Sequence, residues 1–290
     1  MYDRILLPVD DKTGNAEVLY HAGEMAHYFD SEIRLLYVAD TELHSVTIAE
    51  QGVVDGLVKR GEEIVEDAAE TLETLDVEHS TDVVQGSPAE TIVEYASEYD
   101  YDLLVMATHG REGLSRYLLG SVTEKVVRLS DVPVLTTRMQ ERDTFTFPYD
   151  RLLIPTDGSE ASRRAAEHGL DLAAALNATV DVLSVVETAA LGPDVRSTVT
   201  TGDFDQGARQ AVADVATMAD ERGVEATTHV ETGSADEGIL AAIDDHGCQA
   251  VVMGTTGRRG VDRILLGSVA EKTVRSAPVP VMTVREDRDG

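Results

Sequence analysis

Residues 251–269 read VVMGTTGRRGVDRILLGSV, and residues 104–122 read LVMATHGREGLSRYLLGSV. An apolar run, a glycine-bearing loop and a Gly-Ser step follow one another in both, at an offset of 147. The likeness continues outward, and residues 102–138 agree with 249–285 at 21 of 37 positions. The same offset carries YDRILLPVD (2–10) onto YDRLLIPTD (149–157), Gly86-Ser87 onto Gly233-Ser234, and Val132-Pro133-Val134 onto Val279-Pro280-Val281. One offset serving both ends means one unit written twice at equal length. The stretch MQERDTFTFP (139–148) breaks the pattern. The expected organisation is therefore domain 1 at 1–140, a linker at 139–148 and domain 2 at 148–286, each near the commonest domain size.

Each copy alternates strand and helix patterns. In the first, Arg4–Val9 is a short apolar run, and Asn15–Phe29 suits a helix. Ile33–Val38 reads as a second strand. Val54, Leu57, Ile64, Val65, Ala68 and Leu72 recur at helical spacing. Val77–Val84 is a third strand, and Pro88 can open the helix after Ser87. Leu103–Met106 is wholly apolar, as a buried parallel strand is. Ser121–Ser130 is a helix and Val132–Thr136 a fifth strand. Alternation of this kind predicts parallel strands joined by right-handed crossovers. The expected fold is α/β: two tandem Rossmann-like domains, each an open five-stranded parallel sheet with helices on both faces. Ligands of such sheets bind beyond the carboxyl ends of the strands, where strand order reverses.

Composition narrows the function. The 290 residues include 54 acids and 24 bases, a net charge of −30, and only four lysines (Lys12, Lys59, Lys125, Lys272). So negative a surface repels nucleic-acid backbones, which argues against a DNA or RNA binder. The acids are dispersed through periodic segments (Glu62, Glu63, Glu66, Asp67, Glu70), as on a solvated folded surface. Acid-rich, lysine-poor surfaces are of the halophilic type, suited to molar salt. The single cysteine, Cys248, excludes an internal disulfide framework and zinc-ribbon spacing. It reads as a small apolar filler before a buried strand. No apolar run approaches the ~20 residues of a membrane span, and no leader pattern opens the chain. The expectation is a cytoplasmic protein with no membrane insertion.

The loop after the fourth strand carries the chemistry. In the second copy it is G-x2-G-x9-G-S, from Gly254 and Gly257 to Gly267-Ser268, opening into a helix. Glycines let backbone approach a ligand closely, and helix N-terminal amides stabilise an anion. Ser268 is placed to cap the helix and to donate to a phosphate oxygen. Arg258, Arg259 and Arg263 make a local basic island. One such glycine would signify only a turn. The spacing, present in two copies in the same context, favours phosphate.

With the strand-end aspartates of ILLPVD and LLIPTDGSE and the closing PVL and PVM strands, each half resembles the universal stress protein domain. The whole chain resembles a tandem member of that family. The resemblance implies the adenine-nucleotide alpha hydrolase-like form of the fold, and ATP or AMP as ligand, with Mg²⁺ or Mn²⁺ as a candidate companion ion. It implies contact of Asp157 with adenine or ribose, and of the Val185 backbone with adenine. It places the phosphates at Gly254, Gly257, Gly267 and Ser268. Pro155, Met253, Arg258 and Val269 complete the favoured site. In the first half the corresponding residues are Pro8, Asp10, Val38, Met106, Ala107 and Gly110, followed by Arg111, Gly120, Ser121 and Val122. Ala107 stands where the first loop glycine is expected, and Asp11-Lys12-Thr13 replaces Gly158-Ser159-Glu160, so the second site is preferred. Family members pair through the last strand. The two halves are therefore expected to pack about a pseudo-two-fold axis through Val132–Thr136 and Val279–Thr283, and a homodimer is a candidate assembly.

Other chemistry finds no motif. There is no P-loop, no G-x-G-x-x-G after a first strand, no H-E-x-x-H and no G-x-S-x-G. His109 has Thr256 in the other copy, and His21, His27, His44, His79, His168, His229 and His246 show no metal-ligand spacing. They read as surface or helix-face residues, and no catalytic or metal residue is assigned. The expected role is a nucleotide-binding sensor or regulator of the stress response. Two alternatives stand beside it. One is slow ATP hydrolysis or nucleotidyl transfer, with Asp10, Asp11 and Asp157 as the available carboxylates. The other is a nucleotide-free interaction module.

Overall fold

The computed structural model describes residues 1–10, 16–40, 51–108, 119–138, 146–187, 201–257 and 266–285. The chain forms two compact units, Met1–Pro148 and Tyr149–Gly290. The first runs β1 (Arg4–Pro8), α1 (Ala16–Phe29), β2 (Glu32–Asp40), α2 (Gln51–Glu73), β3 (His79–Gly86), α3 (Pro88–Glu98), β4 (Leu103–Ala107), α4 (Ser121–Leu129) and β5 (Val134–Thr137). The second repeats the order with β6 (Arg151–Pro155), α5 (Glu160–Leu176), β7 (Thr179–Val186), α6 (Thr201–Arg222), β8 (Ala226–Thr232), α7 (Ala235–His246), β9 (Ala250–Gly254), α8 (Ser268–Ser276) and β10 (Val281–Val284). Strand order is β3-β2-β1-β4-β5 in the first unit and β8-β7-β6-β9-β10 in the second. Pairing within each unit is parallel.

Burial follows position in the sheet. In β1, β4, β6 and β9 nearly every residue is buried, as strands covered on both faces must be. The outer strands β3 and β8 are mostly half-exposed and carry the polar residues. Helix ends obey local chemistry. Pro88 lies in the first turn of α3. The Ser159 hydroxyl caps α5 by accepting the Ser162 N–H at 3.2 Å. Gly247 ends α7 in the left-handed region at φ 66°. The strand pair at the foot of each sheet is tied the same way. Asp102 Oδ2 accepts the N–H groups of Asp3 and Arg4, and Gln249 Oε1 accepts those of Asp150 and Arg151.

One sequence expectation changes and another is narrowed. The last strand starts at Val134, not Val132. Pro133 has no N–H to give a ladder, and the Val132 N–H and C=O are engaged by the Ser130 hydroxyl at 3.1 and 2.7 Å. His21, read as a surface or helix-face residue, lies on α1 on its covered face, only 2% exposed, with the Phe147 ring edge-on at 6.0 Å. Burial lowers its pKa from 6.5 to about 4. The matching His168 is half-exposed and is lowered by burial in the same direction.

The shift at His21 predicts an acid weakness. Between about pH 6.5 and 4 the unfolded chain takes up a proton that the folded chain refuses, so stability falls as pH falls through that window. At pH 4.5 the loss from this one group is about 2–3 kcal/mol. A His21→Leu variant should lose that much less stability than the parent between pH 7 and 4.5, by urea unfolding in constant salt. Equal losses would show that His21 is not the group responsible.

Candidate functional site

In the second unit, β6 stops one turn of the ladder before its neighbour. Its last pair is Pro155 with Leu183, followed by the Thr156 N–H donated to the Leu183 C=O at 2.8 Å. β7 continues to Val186 beside β8. Two residues past Leu183, Val185 directs its backbone to the same side, over the end of β6. Its side chain turns the other way, under α7, where a Cβ on Gly238 would lie 2.9 Å from Val185 Cγ2. Strand order reverses here, since β7 lies on one side of β6 and β9 on the other. The result is a crevice lined by backbone.

Three segments converge on it. Asp157 follows β6 and is exposed. Its Oδ1 accepts the Ser159 N–H at 2.9 Å, in a turn made by Gly158 at φ 73°. Its Oδ2 faces the loop after β9, where a Cβ on Gly257 would fall 2.7 Å away. That loop is pinned at its neck, because the Gly267 N–H donates to the Thr255 C=O at 2.8 Å. Thr255, which sequence reading passed over, is 3% exposed and supports this closure.

The loop opens α8, and Gly267 is its N-cap, with φ −62° and ψ 143°. Ser268 therefore occupies the first helical position and does not cap, which corrects the sequence expectation. A glycine cap offers no side-chain oxygen, so the first-turn N–H groups at Ser268, Val269 and Ala270 face outward as donors. α5, a few residues away in space from the same crevice, fills that role with Ser159 instead.

Gly254 has a different reason for being glycine. Its φ is not left-handed. A Cβ there would sit 2.9 Å from the C and O atoms of Ala161 and 3.1 Å from the Ser162 N. The constraint is the passage of the α5 backbone across the end of β9, not ligand approach.

The first unit repeats the framework. The Val9 N–H donates to the Leu36 C=O at 2.9 Å, beyond the Pro8 pair, and β2 runs on past Val38. The Gly120 N–H closes the loop neck on the Thr108 C=O at 2.9 Å, and Gly120 is the N-cap of α4 ahead of Ser121 and Val122. Asp10 is exposed at the end of β1, and Met106 and Ala107 close β4. Gly110, Arg111, Arg258, Arg259, Arg263, His109 and Asp11, as well as most of the linker, lie outside the described residues.

The chain is a tandem pair of Rossmann-like α/β units, each with its β1/β4 or β6/β9 strand ends at the point where strand order reverses. Among the described residues no helix is long and apolar enough to cross a membrane. The sequence profile of the universal stress protein family matches residues 1–138 and again 148–285. The chain belongs to the universal stress protein family, as a tandem member. A universal stress protein of Methanocaldococcus jannaschii is 33% identical over 146 residues, covering 49% of this chain and 86% of that protein. One of Mycolicibacterium smegmatis is 25% identical over 297 residues, covering 97% of this chain and 96% of its own. The crystal structure of a universal stress protein from Archaeoglobus fulgidus superposes with a TM-score of 0.75 at 23% identity, over 98% of both chains.

Proposed function

We propose that the chain binds an adenine nucleotide, ATP or AMP, at the carboxyl end of the second sheet and acts in the stress response as a sensor or regulator. The observation that carries this reading is the meeting of Asp157 with Gly257. Two motifs a hundred residues apart in sequence are brought to within contact distance by the fold. The residues fit the ligand in kind. The Val185 backbone suits adenine, the Asp157 carboxylate suits ribose hydroxyls, and the outward amides of α8 suit phosphates. Bound phosphate would bring its own charge, and Mg²⁺ or Mn²⁺ would offset it. The first unit offers the same framework and is the second candidate site.

A regulator is favoured over a turnover enzyme because, among the described residues, Asp157 is the carboxylate beside the loop, and with one oxygen accepting the Ser159 N–H at 2.9 Å it is suited to positioning a ligand hydroxyl. The regulatory step would be ordering of the glycine loops by phosphate. Hydrogen exchange is expected to slow in a peptide spanning residues 254–270 when ATP is added, relative to peptides from β8. Equal exchange with and without ATP would remove the mechanism.

The net charge of −30 supports a reading in which the protein works at high salt, in a cytoplasm of halophilic type. At ~1 M salt the Debye length is about 3 Å, and self-repulsion among dispersed acids is largely screened. The thermal midpoint should rise by several degrees or more between dilute buffer and molar KCl. An unchanged midpoint would show that the acidic surface carries no such dependence.

A further inference from the structure

At the opposite end of the second sheet stands a cluster that the nucleotide site does not use. Asp181 lies early in β7, inside a mostly apolar run, and is 2% exposed. A buried carboxylate is costly unless it is paired. One oxygen, Oδ2, meets Arg151 Nη1 at 3.3 Å. The other, Oδ1, meets His229 Nε2 at 2.7 Å, from β8. The imidazole of His246, in the last turn of α7, stacks on that of His229 with ring centroids 4.2 Å apart. One ligand atom from each of Asp181, His229 and His246 can be chosen so that all lie within 4.8 Å of one another. The left-handed Gly247 cap holds the end of α7 in this position.

We propose that Asp181, His229 and His246 bind a borderline divalent cation of the zinc, cobalt or nickel class. Two imidazoles and one carboxylate are a ligand set for such ions, with water completing the shell. Ligand atoms at ~2.0–2.1 Å from a tetrahedral ion stand roughly 3.3 Å apart, so the 2.7 Å His229–Asp181 contact opens by about half an ångström and the His246 ring, now stacked on His229 at 24°, turns so that its nitrogen closes in from within 4.8 Å. Arg151 already grips the second carboxylate oxygen, which orients the first toward the imidazoles, as outer-shell partners of metal ligands do. Cys248 is not counted in the set: its Sγ lies 3.9 Å from Asp181 Oδ2, the oxygen held by Arg151, and not beside the oxygen that meets His229.

The internal repeat shows that the fold does not dictate this cluster. The positions matching Asp181, His229, His246 and Cys248 are Arg34, Asp82, Tyr99 and Tyr101. There the space is filled by tyrosines. The Tyr95 hydroxyl donates to Asp82 Oδ2 at 2.8 Å, and the Arg4 guanidinium lies 4.7 Å over the Tyr101 ring. One copy has a self-satisfied aromatic plug, and the other has two imidazoles on a carboxylate. The site is separate from the nucleotide crevice, since Asp181 and Val185 are four residues apart, about 13 Å along β7. An ion here would clamp β7, β8 and the end of α7 together.

The test is Co(II) titration of the full chain in molar KCl with excess Mg²⁺, followed by visible absorption. Low-coordinate Co(II) held by imidazoles absorbs strongly, whereas six-coordinate Co(II) on surface carboxylates is pale, so the 54 acids do not confuse the reading. The expected result is one saturable set of intense bands per chain, displaced by Zn²⁺, together with a rise in thermal midpoint on adding Zn²⁺. His246→Tyr, which installs the residue the first unit carries, should abolish the bands and the rise. His229→Gln should do the same while the fold, checked in chelator, persists. Should His229→Gln fail to fold, His246→Tyr decides alone. Absence of bands in the parent chain, or bands unchanged in His246→Tyr, would overturn the proposal.

Discussion

Gly257→Asp is expected to weaken ATP binding by the second unit by about 100-fold. A Cβ added at this position would lie 2.7 Å from Asp157 Oδ2. The substitution therefore sets a second carboxylate beside the first, where the account places phosphate. A bound phosphate about 4 Å from the new carboxylate costs ~4 kcal/mol at an effective dielectric of 20, a repulsion present only in the complex. Molar salt removes part of this, and a residue of roughly 3 kcal/mol corresponds to that hundredfold loss. Gly257→Ala adds the methyl without the charge, and the Asp157 carboxylate can swing away from it, so its effect should be much smaller. The contrast separates charge from bulk. Calorimetry on both variants checks it, and parent-like affinity in Gly257→Asp would remove the loop from the phosphate site.

The second large effect is on stability. Gly254→Ala should destabilise the second unit by about 1–3 kcal/mol, the usual range for overpacking. The new methyl would meet the backbone of Ala161 and Ser162 at 2.9–3.1 Å, and a backbone cannot rotate away as a side chain can. The start of α5 must move, and with it the Ser159 cap. The reverse change in the first unit, Ala107→Gly, should cost no more than the ~0.5–1 kcal/mol of glycine entropy. Ala107 is half-exposed there, and its C=O accepts the Thr123 hydroxyl at 2.9 Å whatever the side chain. Urea unfolding of the two variants measures the asymmetry. Equal small losses would mean that α5 is free to shift.

This pair also shows where sequence reading reached its limit. Ala107 in place of glycine looked like damage to a phosphate site. The structure gives the position a helix-packing reason, so Ala107 alone is no argument against the first site. A single sequence shows that a residue is glycine. Only coordinates show which neighbour a side chain would strike. The repeat, the strand–helix alternation and the strand-end placement of Asp10 and Asp157 were legible, because apolar periodicity and a fixed offset are written locally. The Ser268 cap was misplaced by one residue, since Gly-Ser before a helix fits either as N-cap.

The Asp181 cluster was missed for a different reason. Its members sit at 181, 229 and 246, spacings set by a parallel sheet and a crossover helix, and no short motif spans them. One signal was available. A charged residue in the middle of TVDVLSVV (179–186) demands a buried partner, and arginine or histidine from adjoining elements was the place to look. The burial of His21 was not legible because a helix-face histidine gives no hint in sequence of what covers it. Its place on the apolar side of α1 becomes clear only with Phe147 beside it.

The central claim is that the second sheet holds an adenine nucleotide at the end of β6. The most direct test is calorimetric titration of the whole chain with ATP, and separately AMP, in molar KCl with Mg²⁺. The account predicts saturable binding of at least one nucleotide per chain, with one fewer in the Gly257→Asp variant. Absence of saturable binding by either nucleotide to the folded parent chain would contradict it.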